Sequence, residues 1–432
     1  MKVCHVITRL IVGGAQENTV ASCIGLRKLG YDCELVTGPQ TGPEGSLHDQ
    51  VRAAGVPLIV VDELRRAPHP FQDRLAVRAL KKLFTDRQYD VVHTHSGKAG
   101  FVGRLAARWA QVPVVVHTIH GPSFYPYQNP LGNWLFRWAE QLAGEWTTQF
   151  VSVADAMTAQ YEAAGITGKY VTIRSGMNLE PFLAIESKPE RCGVGRAVPS
   201  APLLPNQELR NGGLEPSLTR RGSPQTARPT HGNCMIPAQP DFVVGKIARM
   251  FRLKGYESLF AAAPQIVAAV PSVKFLLVGD GVNRLRYEHW AERLGLRDRF
   301  IFTGLVRPEE IPACVAQMDV LVHLSLREGL PRTLPQALAA GKPVVAFDVD
   351  GAREVCREGE TGFLIRAGDS AGVAAAVIRL FQNRALAAKL GAQGRQRVRT
   401  EFGEDLMVRK LDELYRRLCF SGLQSAAPPA NV

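Results

Sequence analysis

A chain of 432 residues is too long for one typical hydrophobic core, so two domains are expected. Its 46% hydrophobic and 21% charged residues are usual for a globular protein, and its formal net charge of +12 favours anionic partners such as nucleotides, acidic lipids or nucleic acid. No apolar run reaches the length of a membrane span, and the eight cysteines form no C-x-x-C pair, which excludes a transmembrane helix and a zinc-knuckle or thiol-redox motif.

The chain begins with a pattern of strand, glycine turn and helix. Residues 2–8 are apolar and strand-like, Gly13 and Gly14 follow them, and a helical pattern leads to a second strand at residues 33–37. This order is typical of nucleotide-binding α/β domains, in which glycines allow the backbone to approach a ligand closely. The turn lacks the G-x-G-x-x-G pattern, so a dinucleotide site is not predicted.

Two further strands lead into histidine-rich turns. One strand is predicted to end at residue 92, before His93 and His95, and the next at residue 116, before His117 and His120. In a parallel sheet, these turns lie at the same edge as the glycine turn, where ligands bind. Packing of most of these histidines is favoured over a metal site, because no Cys or carboxylate ligands occur at the spacing of zinc sites.

Large aromatic residues follow, and strands at residues 150–153 and 170–174 complete a first domain predicted for residues 1–185. Core packing of the aromatic side chains is favoured over an acceptor surface or a membrane interface. These side chains are Phe124, Tyr125, Tyr127, Trp134, Phe136 and Trp138.

Residues 186–240 differ in composition from the rest of the chain. They are rich in Pro, Gly, Ser, Arg and Asn, with few aromatic residues and no hydrophobic period. Such a segment does not bury enough apolar surface to fold alone, which predicts a disordered insertion between the domains. It has no run of Lys and Arg with interleaved aromatic residues, so nucleic acid is not an expected partner. The tail at residues 421–432 is also predicted to be disordered.

A second α/β domain is predicted for residues 241–403. After its first strand, a turn carries Arg249 and Lys254. Further along the chain, Glu328 follows a strand and precedes a helix, whose N-terminus exposes the backbone N–H groups of Arg332 and Thr333. A helix N-terminus at the carboxyl end of a strand suits an anionic ligand. Five apolar runs indicate strands: residues 242–247, 273–278, 300–303, 319–324 and 343–347.

These motifs, in this order, resemble those of the retaining family 4 glycosyltransferases, also called glycosyl transferases group 1. The family signature is Glu, seven residues, Glu, then Ala, a small residue and Gly-x-Pro; Glu328 matches it, but Gln336 stands where the second Glu is expected. Further family motifs are similar to the segments VGGAQE, HTIHG and LVGDG, to the loop from Arg249 to Lys254, and to a closing turn and strand at residues 361–364. The resemblance implies the GT-B fold, with two facing doubly wound (Rossmann-like) domains and a final helix, residues 404–420, that crosses back to the first domain.

The resemblance also implies a reaction, the transfer of a sugar from a nucleotide-diphosphate donor to a hydroxyl acceptor with retention at the anomeric carbon. By analogy, Glu328 and His120 contact the transferred sugar, and Arg249 and Lys254 carry the donor diphosphate. The other substrate-binding positions that it implies are Gly13, Gly14, Arg332, Thr333, Gln336, Gly304 and Leu305.

No cofactor or metal is expected, since these cations and the helix N-terminus offset the charge of the leaving group. The pair Asp348 and Asp350 looks like a manganese motif, but it aligns with a family strand and G-x-x-E turn where no metal binds.

The expected partners are a nucleotide-sugar donor and a glycan or lipid-linked acceptor. The opening segment lacks the cleavage-site pattern of a signal peptide, so a cytoplasmic location is expected, and peripheral contact with an anionic membrane is left open. Two alternatives also stay open, a UDP-sugar 2-epimerase and a non-catalytic protein that binds nucleotide sugars or anionic lipids. Gln336 is the best argument for the second.

Overall fold

Two parallel β-sheets, each covered by helices on both faces, form the framework of the protein. The computed structural model describes residues 1–40, 45–125, 127–186 and 242–425, without the side chains of residues 421–425. The predicted insertion after residue 186 and the chain end after residue 425 lie outside the described residues.

The first sheet has seven strands in the order β3-β2-β1-β4-β5-β6-β7. The strand order reverses between β1 and β4, which places a ligand-binding crevice beside the carboxyl ends of these two strands. The strands are β1 (Lys2–Ile7), β2 (Asp32–Thr37), β3 (Leu58–Val60), β4 (Val91–His95), β5 (Val114–Ile119), β6 (Gln149–Ser152) and β7 (Tyr170–Thr172). The helices are α1 (Gly14–Lys28), α2 (His48–Ala53), α3 (Pro70–Arg87), α4 (Gly97–Trp109), α5 (Pro130–Gly144), α6 (Asp155–Ala163) and α7 (Glu180–Leu183).

The histidines of β4 and β5 lie further inside the sheet than predicted. His93 and His95 are the third and fifth residues of β4, and His117 lies within β5, so the predicted strand ends at residues 92 and 116 were wrong. All three side chains are buried, as the packing interpretation expects. Both ring nitrogens of His93 and of His95 have hydrogen-bond partners, and His117 Nδ1 pairs with the Thr94 hydroxyl at 2.9 Å, so polar residues are accommodated in strands that are buried on both faces.

The second sheet has six strands in the order β10-β9-β8-β11-β12-β13, and its order reverses between β8 and β11. The strands are β8 (Val243–Ile247), β9 (Lys274–Val278), β10 (Phe300–Gly304), β11 (Val320–His323), β12 (Val344–Phe347) and β13 (Gly362–Ile365). The helices are α8 (Tyr256–Ala269), α9 (Arg284–Arg293), α10 (Ile311–Gln317), α11 (Thr333–Ala339), α12 (Ala352–Val355), α13 (Ser370–Gln382) and α14 (Arg384–Glu401), with 3₁₀ turns at Arg297–Arg299 and Pro308–Glu310.

A last helix, α15 (Glu404–Ser425), packs on the first domain against α1. Its apolar residues Val408, Leu411, Leu414 and Tyr415 share a buried core with β1 and β2. The helices approach closely at Gly25, where a Cβ atom would lie 2.3 Å from a methyl carbon of Val408. A side chain at position 25 would therefore push α15 away from the first domain.

The aromatic residues after His120 divide between core and surface. Phe124 is buried, but Tyr127, Trp134, Phe136 and Trp138 are exposed, so core packing was the wrong prediction for these four. Among the helices of the described residues, none combines the length and apolar character that a membrane crossing requires.

Candidate active site

A cleft of about 1600 Å³ lies between the two domains, at the carboxyl edges of both sheets. Ten of the eleven site residues predicted from the sequence line it: Gly13, Gly14, His120, Arg249, Lys254, Leu305, Glu328, Arg332, Thr333 and Gln336. Gly304, the eleventh, ends β10 instead, and its carbonyl accepts a hydrogen bond from the Gly279 N–H at 3.1 Å.

Glu328 lies in the loop between β11 and α11, and its carboxylate is paired with Lys254. The Lys254 Nζ donates to Glu328 Oε1 at 2.6 Å, and His323 Nε2 lies 3.6 Å from the same oxygen. Burial acts to raise the pKa of Glu328, but Lys254 and His323 outweigh it and lower the pKa to about 2. The cleft therefore contains a fixed negative charge beside a cation.

The loop that carries Lys254 is held by close packing on the neighbouring strand. Gly255 has a φ of +68°, and a Cβ atom there would lie 1.7 Å from the Leu324 carbonyl oxygen. Only glycine fits this position, and it places Lys254 next to the end of β11. Arg249 begins the same loop, with its guanidinium 5.2 Å from the centre of the Phe251 ring.

His120 follows β5 on the opposite side of the cleft. Its Nε2 lies 3.1 Å from His95 Nδ1, and burial, with a smaller effect of the Arg332 charge, lowers its pKa to about 3. The imidazole is therefore neutral near pH 7. The loop between β11 and α11 packs against the backbone of His120, since a Cβ atom on Gly329 would lie 2.0 Å from the His120 carbonyl oxygen.

Arg332 connects the two domains through its side chain. It directly precedes α11, its Nη2 lies 3.1 Å from Glu17 Oε2 in α1, and its Nη1 donates to the Gly176 carbonyl at 3.1 Å. Gly14 makes room for it, because a Cβ atom there would lie 2.9 Å from Arg332 Cδ. The sequence had suggested only a backbone contribution from Arg332.

Both carboxylates of the Asp348 and Asp350 pair are engaged in protein contacts. Asp348 accepts two hydrogen bonds from the Arg353 guanidinium, one of them at 2.8 Å. Asp350 accepts from the Glu328 backbone N–H and from Gln160 Nε2, each at 2.7 Å. The second aspartate thus positions the Glu328 loop and links it to the first domain.

Sequence reasoning missed three residues of this site. His323 ends β11 beside Glu328, Glu17 pairs with Arg332, and the Arg327 guanidinium lies 4.0 Å from the centre of the Tyr125 ring. A polar residue at the end of an apolar strand was a usable signal for His323. The contacts of Glu17 and Arg327 cross between domains and leave no local pattern in the sequence.

Two family models and several known proteins match this chain. The model "Glycosyl transferase 4-like domain" matches residues 13–176, and "Glycosyl transferases group 1" matches residues 237–397. The putative glycosyltransferase EpsD of Bacillus subtilis is 30% identical over 82% of this chain and 83% of its own. An Escherichia coli enzyme, UDP-Gal:alpha-D-GlcNAc-diphosphoundecaprenol alpha-1,3-galactosyltransferase, is 27% identical over 96% of both chains.

A solved structure has the same two-domain arrangement. Anabaena Alr3699/HepE in complex with UDP superimposes with a TM-score of 0.71 at 20% sequence identity, covering 96% of this chain and 100% of that chain. At this identity the likeness concerns the fold, which is the GT-B fold predicted from the sequence.

Proposed function

The chain belongs to the group 1 glycosyl transferases, and from this premise we propose that it transfers a sugar from a UDP-sugar to a hydroxyl group of a lipid-linked glycan, with retention at the anomeric carbon and without a metal ion. The observation that carries the proposal is the ion pair of the ionised Glu328 with Lys254, in a cleft that His120 of the first domain lines on the opposite side. The E. coli relative with a UDP-Gal donor, and the fold neighbour bound to UDP, support the choice of a UDP-sugar.

The donor diphosphate lies against Arg249 and Lys254 in this proposal. Lys254 is held by Glu328 at 2.6 Å, so its charge is in place before the donor arrives. Glu328 accepts hydrogen bonds from hydroxyl groups of the donor sugar, and its charge stabilises the positive charge that develops on the sugar ring. Gln336 binds the ribose through its amide.

The transfer step proceeds on one face of the sugar. The acceptor oxygen forms a bond to the anomeric carbon as the bond from that carbon to the phosphate oxygen breaks, and the leaving phosphate takes the acceptor proton. The cations Arg249 and Lys254 offset the charge of the released diphosphate, which is the role that a metal ion has in other transferases. The protein contacts of Asp348 and Asp350 support a reaction without metal.

The surface of α5 supports a lipid-linked acceptor at a membrane. Leu131, Trp134, Leu135 and Trp138 recur at helical spacing on one exposed side of this helix, and Leu135 also lines the cleft. Such a side suits the interface of a bilayer, where the lipid part of an acceptor resides. The name of the E. coli relative includes a diphosphoundecaprenol acceptor, which is of this class.

The test is UDP release from UDP-galactose and UDP-glucose, with and without a lipid-diphosphate-linked sugar, in the presence and absence of EDTA. We expect release that requires the acceptor and survives EDTA, and a product whose anomeric proton coupling matches that of the donor. Conversion of the donor without acceptor would favour the epimerase. Binding without turnover would favour a non-catalytic protein, and activity that EDTA removes and manganese restores would contradict the metal-free mechanism.

A further inference from the structure

A continuous chain of hydrogen bonds runs from the cleft into the core of the first domain. His120 Nε2 lies 3.1 Å from His95 Nδ1, and His95 Nε2 lies 2.8 Å from His5 Nδ1. His5 Nε2 lies 3.3 Å from the hydroxyl of Tyr415 on α15, and this hydroxyl also makes a shorter contact with His93 Nδ1. The crossing helix is therefore connected to a residue of the cleft through ring nitrogens alone.

Each member of this chain supplies a single proton. Burial lowers the pKa of His5 and of His120 to about 3, and it lowers the pKa of His93 and of His95 well below the usual value. A neutral imidazole has one N–H donor and one acceptor nitrogen. Burial also raises the pKa of Tyr415, so its hydroxyl keeps its proton. A row of such groups has only two consistent arrangements, with all donors pointing one way or the other.

The contacts of Tyr415 favour one of these directions. A phenol is a stronger proton donor than an imidazole N–H, and the shorter contact of the Tyr415 hydroxyl is with His93. His93 then donates through Nε2 to the Thr118 hydroxyl, 2.6 Å away. Tyr415 accepts from His5, His5 from His95, and His95 from His120.

We propose that this chain fixes the tautomer of His120, with the proton on Nε2 and an unprotonated Nδ1 that accepts a hydrogen bond from a hydroxyl of the transferred sugar. Tyr415, His5 and His95 are positioning residues in this proposal, since they act through His120. The hydrogen bond between His120 and the sugar rests on the proposed function, whereas the assignment of the His120 tautomer does not.

A bound metal is the competing explanation of the same cluster. In the described part of the chain, one ring nitrogen each of His5, His93 and His95 lies within 4.8 Å of the others, and His5 forms a similar group with Cys23 and Cys33. The hydrogen bonds between these rings and to Tyr415 use the nitrogens that a metal would require. Metal analysis of the purified protein is therefore part of the test.

The experiment uses the full chain labelled with ¹⁵N-histidine and long-range ¹H–¹⁵N NMR at neutral pH, with signals assigned through His120→Gln. We expect His120 to be protonated at Nε2 in the wild-type protein, and Tyr415→Phe to convert it to a mixture of tautomers. With the identified donor, Tyr415→Phe should lower kcat by about fivefold to tenfold and change the donor KM less.

Tyr31→Phe is the matched control, because the Tyr31 hydroxyl bonds to Asp412 on the same helix and its ring lies 6.3 Å from that of Tyr415, outside the chain. It should leave the His120 signals and kcat unchanged. Wild-type His120 protonated at Nδ1, an unchanged spectrum in folded Tyr415→Phe, or stoichiometric metal at the cluster would each overturn the proposal. If Tyr415→Phe does not fold, the position of the His120 proton in the wild-type spectrum tests the proposal by itself. This measurement does not depend on whether sugar transfer is observed.

Discussion

Glu328 and Gln336 differ in charge and are expected to differ in function. Glu328→Gln removes the charge that Lys254 pairs with and should lower the turnover number by about a hundredfold, equivalent to roughly 2.7 kcal/mol, because the carboxylate acts on charge that develops in the transition state. Gln336→Ala should mainly raise the donor KM, as expected for contacts made equally in the ground and transition states. Steady-state kinetics checks both changes.

Gln336→Glu is the control for that comparison, since it restores the family pattern and should be tolerated. Unaltered turnover of a folded Glu328→Gln enzyme would remove Glu328 from the reaction. An equal loss of turnover in Gln336→Ala would contradict the division of roles between the two residues.

Five histidines of the first domain, four of them buried and His120 partly buried, should make this domain sensitive to acid. Their pKa values are lowered from 6.5 by burial, so the unfolded chain binds protons that the folded chain does not. Their contribution to stability is complete above about pH 6.5 and is lost as the pH falls toward the lowered folded-state pKa values, which are about 3 for His5 and His120. Each fully shifted histidine contributes up to about 1.4 kcal/mol per pH unit in that range. The group consists of His5, His93, His95, His117 and His120.

Urea unfolding at several pH values between about 7.5 and 5 tests this expectation. The free energy of unfolding should decrease as the pH falls, and His120→Gln should reduce the slope. His289→Gln is the control, because His289 is exposed on α9 and its loss should leave the slope unchanged. Equal slopes in wild type and His120→Gln would show that this histidine is protonated in the folded state.

At the scale of elements, the presence of a strand was easier to predict than the residue at which it ends or the partners of its side chains. Five of the six strands of the second sheet were predicted from apolar runs, because parallel strands buried on both faces read as continuous hydrophobic segments, and β13 was predicted from the family resemblance. β3 was missed because three residues at a sheet edge give too short a pattern. The end of β4 was misplaced because its buried histidines pair with partners far along the chain, which the local sequence does not reveal.

The same limit applied to the site. Lys254 and Glu328 were found because they match family motifs, in loops that follow β8 and β11 at the edge where α/β folds bind ligands. The contacts of Glu17 and Asp350 were not predicted, since they depend on how the two domains meet. The orientation of α5 was also beyond the sequence, because an amphipathic pattern does not say which face is covered.

The exposed apolar side of α5 is predicted to bind the surface of an anionic membrane. Trp134→Ser combined with Trp138→Ser should weaken binding to phosphatidylglycerol vesicles by about tenfold or more, equivalent to at least roughly 1.4 kcal/mol, because two aromatic anchors are lost. Vesicle sedimentation measures it. Leu285→Ser is the control, since Leu285 is an exposed apolar residue on α9 of the second domain and should not affect binding. Equal binding of the double variant would place the membrane contact elsewhere or remove it.

At the scale of the molecule, polar contacts around the cleft join the two domains beside a shared apolar core, which contains Ile119 and Val153 of the first domain and Leu330 and Ala352 of the second. Arg332 pairs with Glu17, Gln160 donates to Asp350, and the Arg327 guanidinium donates to the Pro122 carbonyl. Two of these contacts join the loop between β11 and α11, which contains Glu328, to the first domain, and the contact of Asp350 joins the loop between β12 and α12. The described conformation therefore places Glu328 and His120 against one cleft, and its closure depends in part on contacts whose individual energies are modest.

Glu17→Gln tests this dependence on polar contacts. The variant leaves Arg332 without its charged partner across the cleft, so the open arrangement should become more populated. Small-angle X-ray scattering should then give a larger radius of gyration, and the donor KM should rise by about threefold to tenfold, because the binding-competent state is less populated. Saturating donor should restore the smaller radius, since ligand binding favours the closed arrangement. Arg353→Gln is the matched control, because it removes an ion pair with Asp348 that lies within the second domain and should change neither quantity. An unchanged radius and KM in Glu17→Gln would mean that apolar packing between the domains, and not the Arg332 contact, sets their closure.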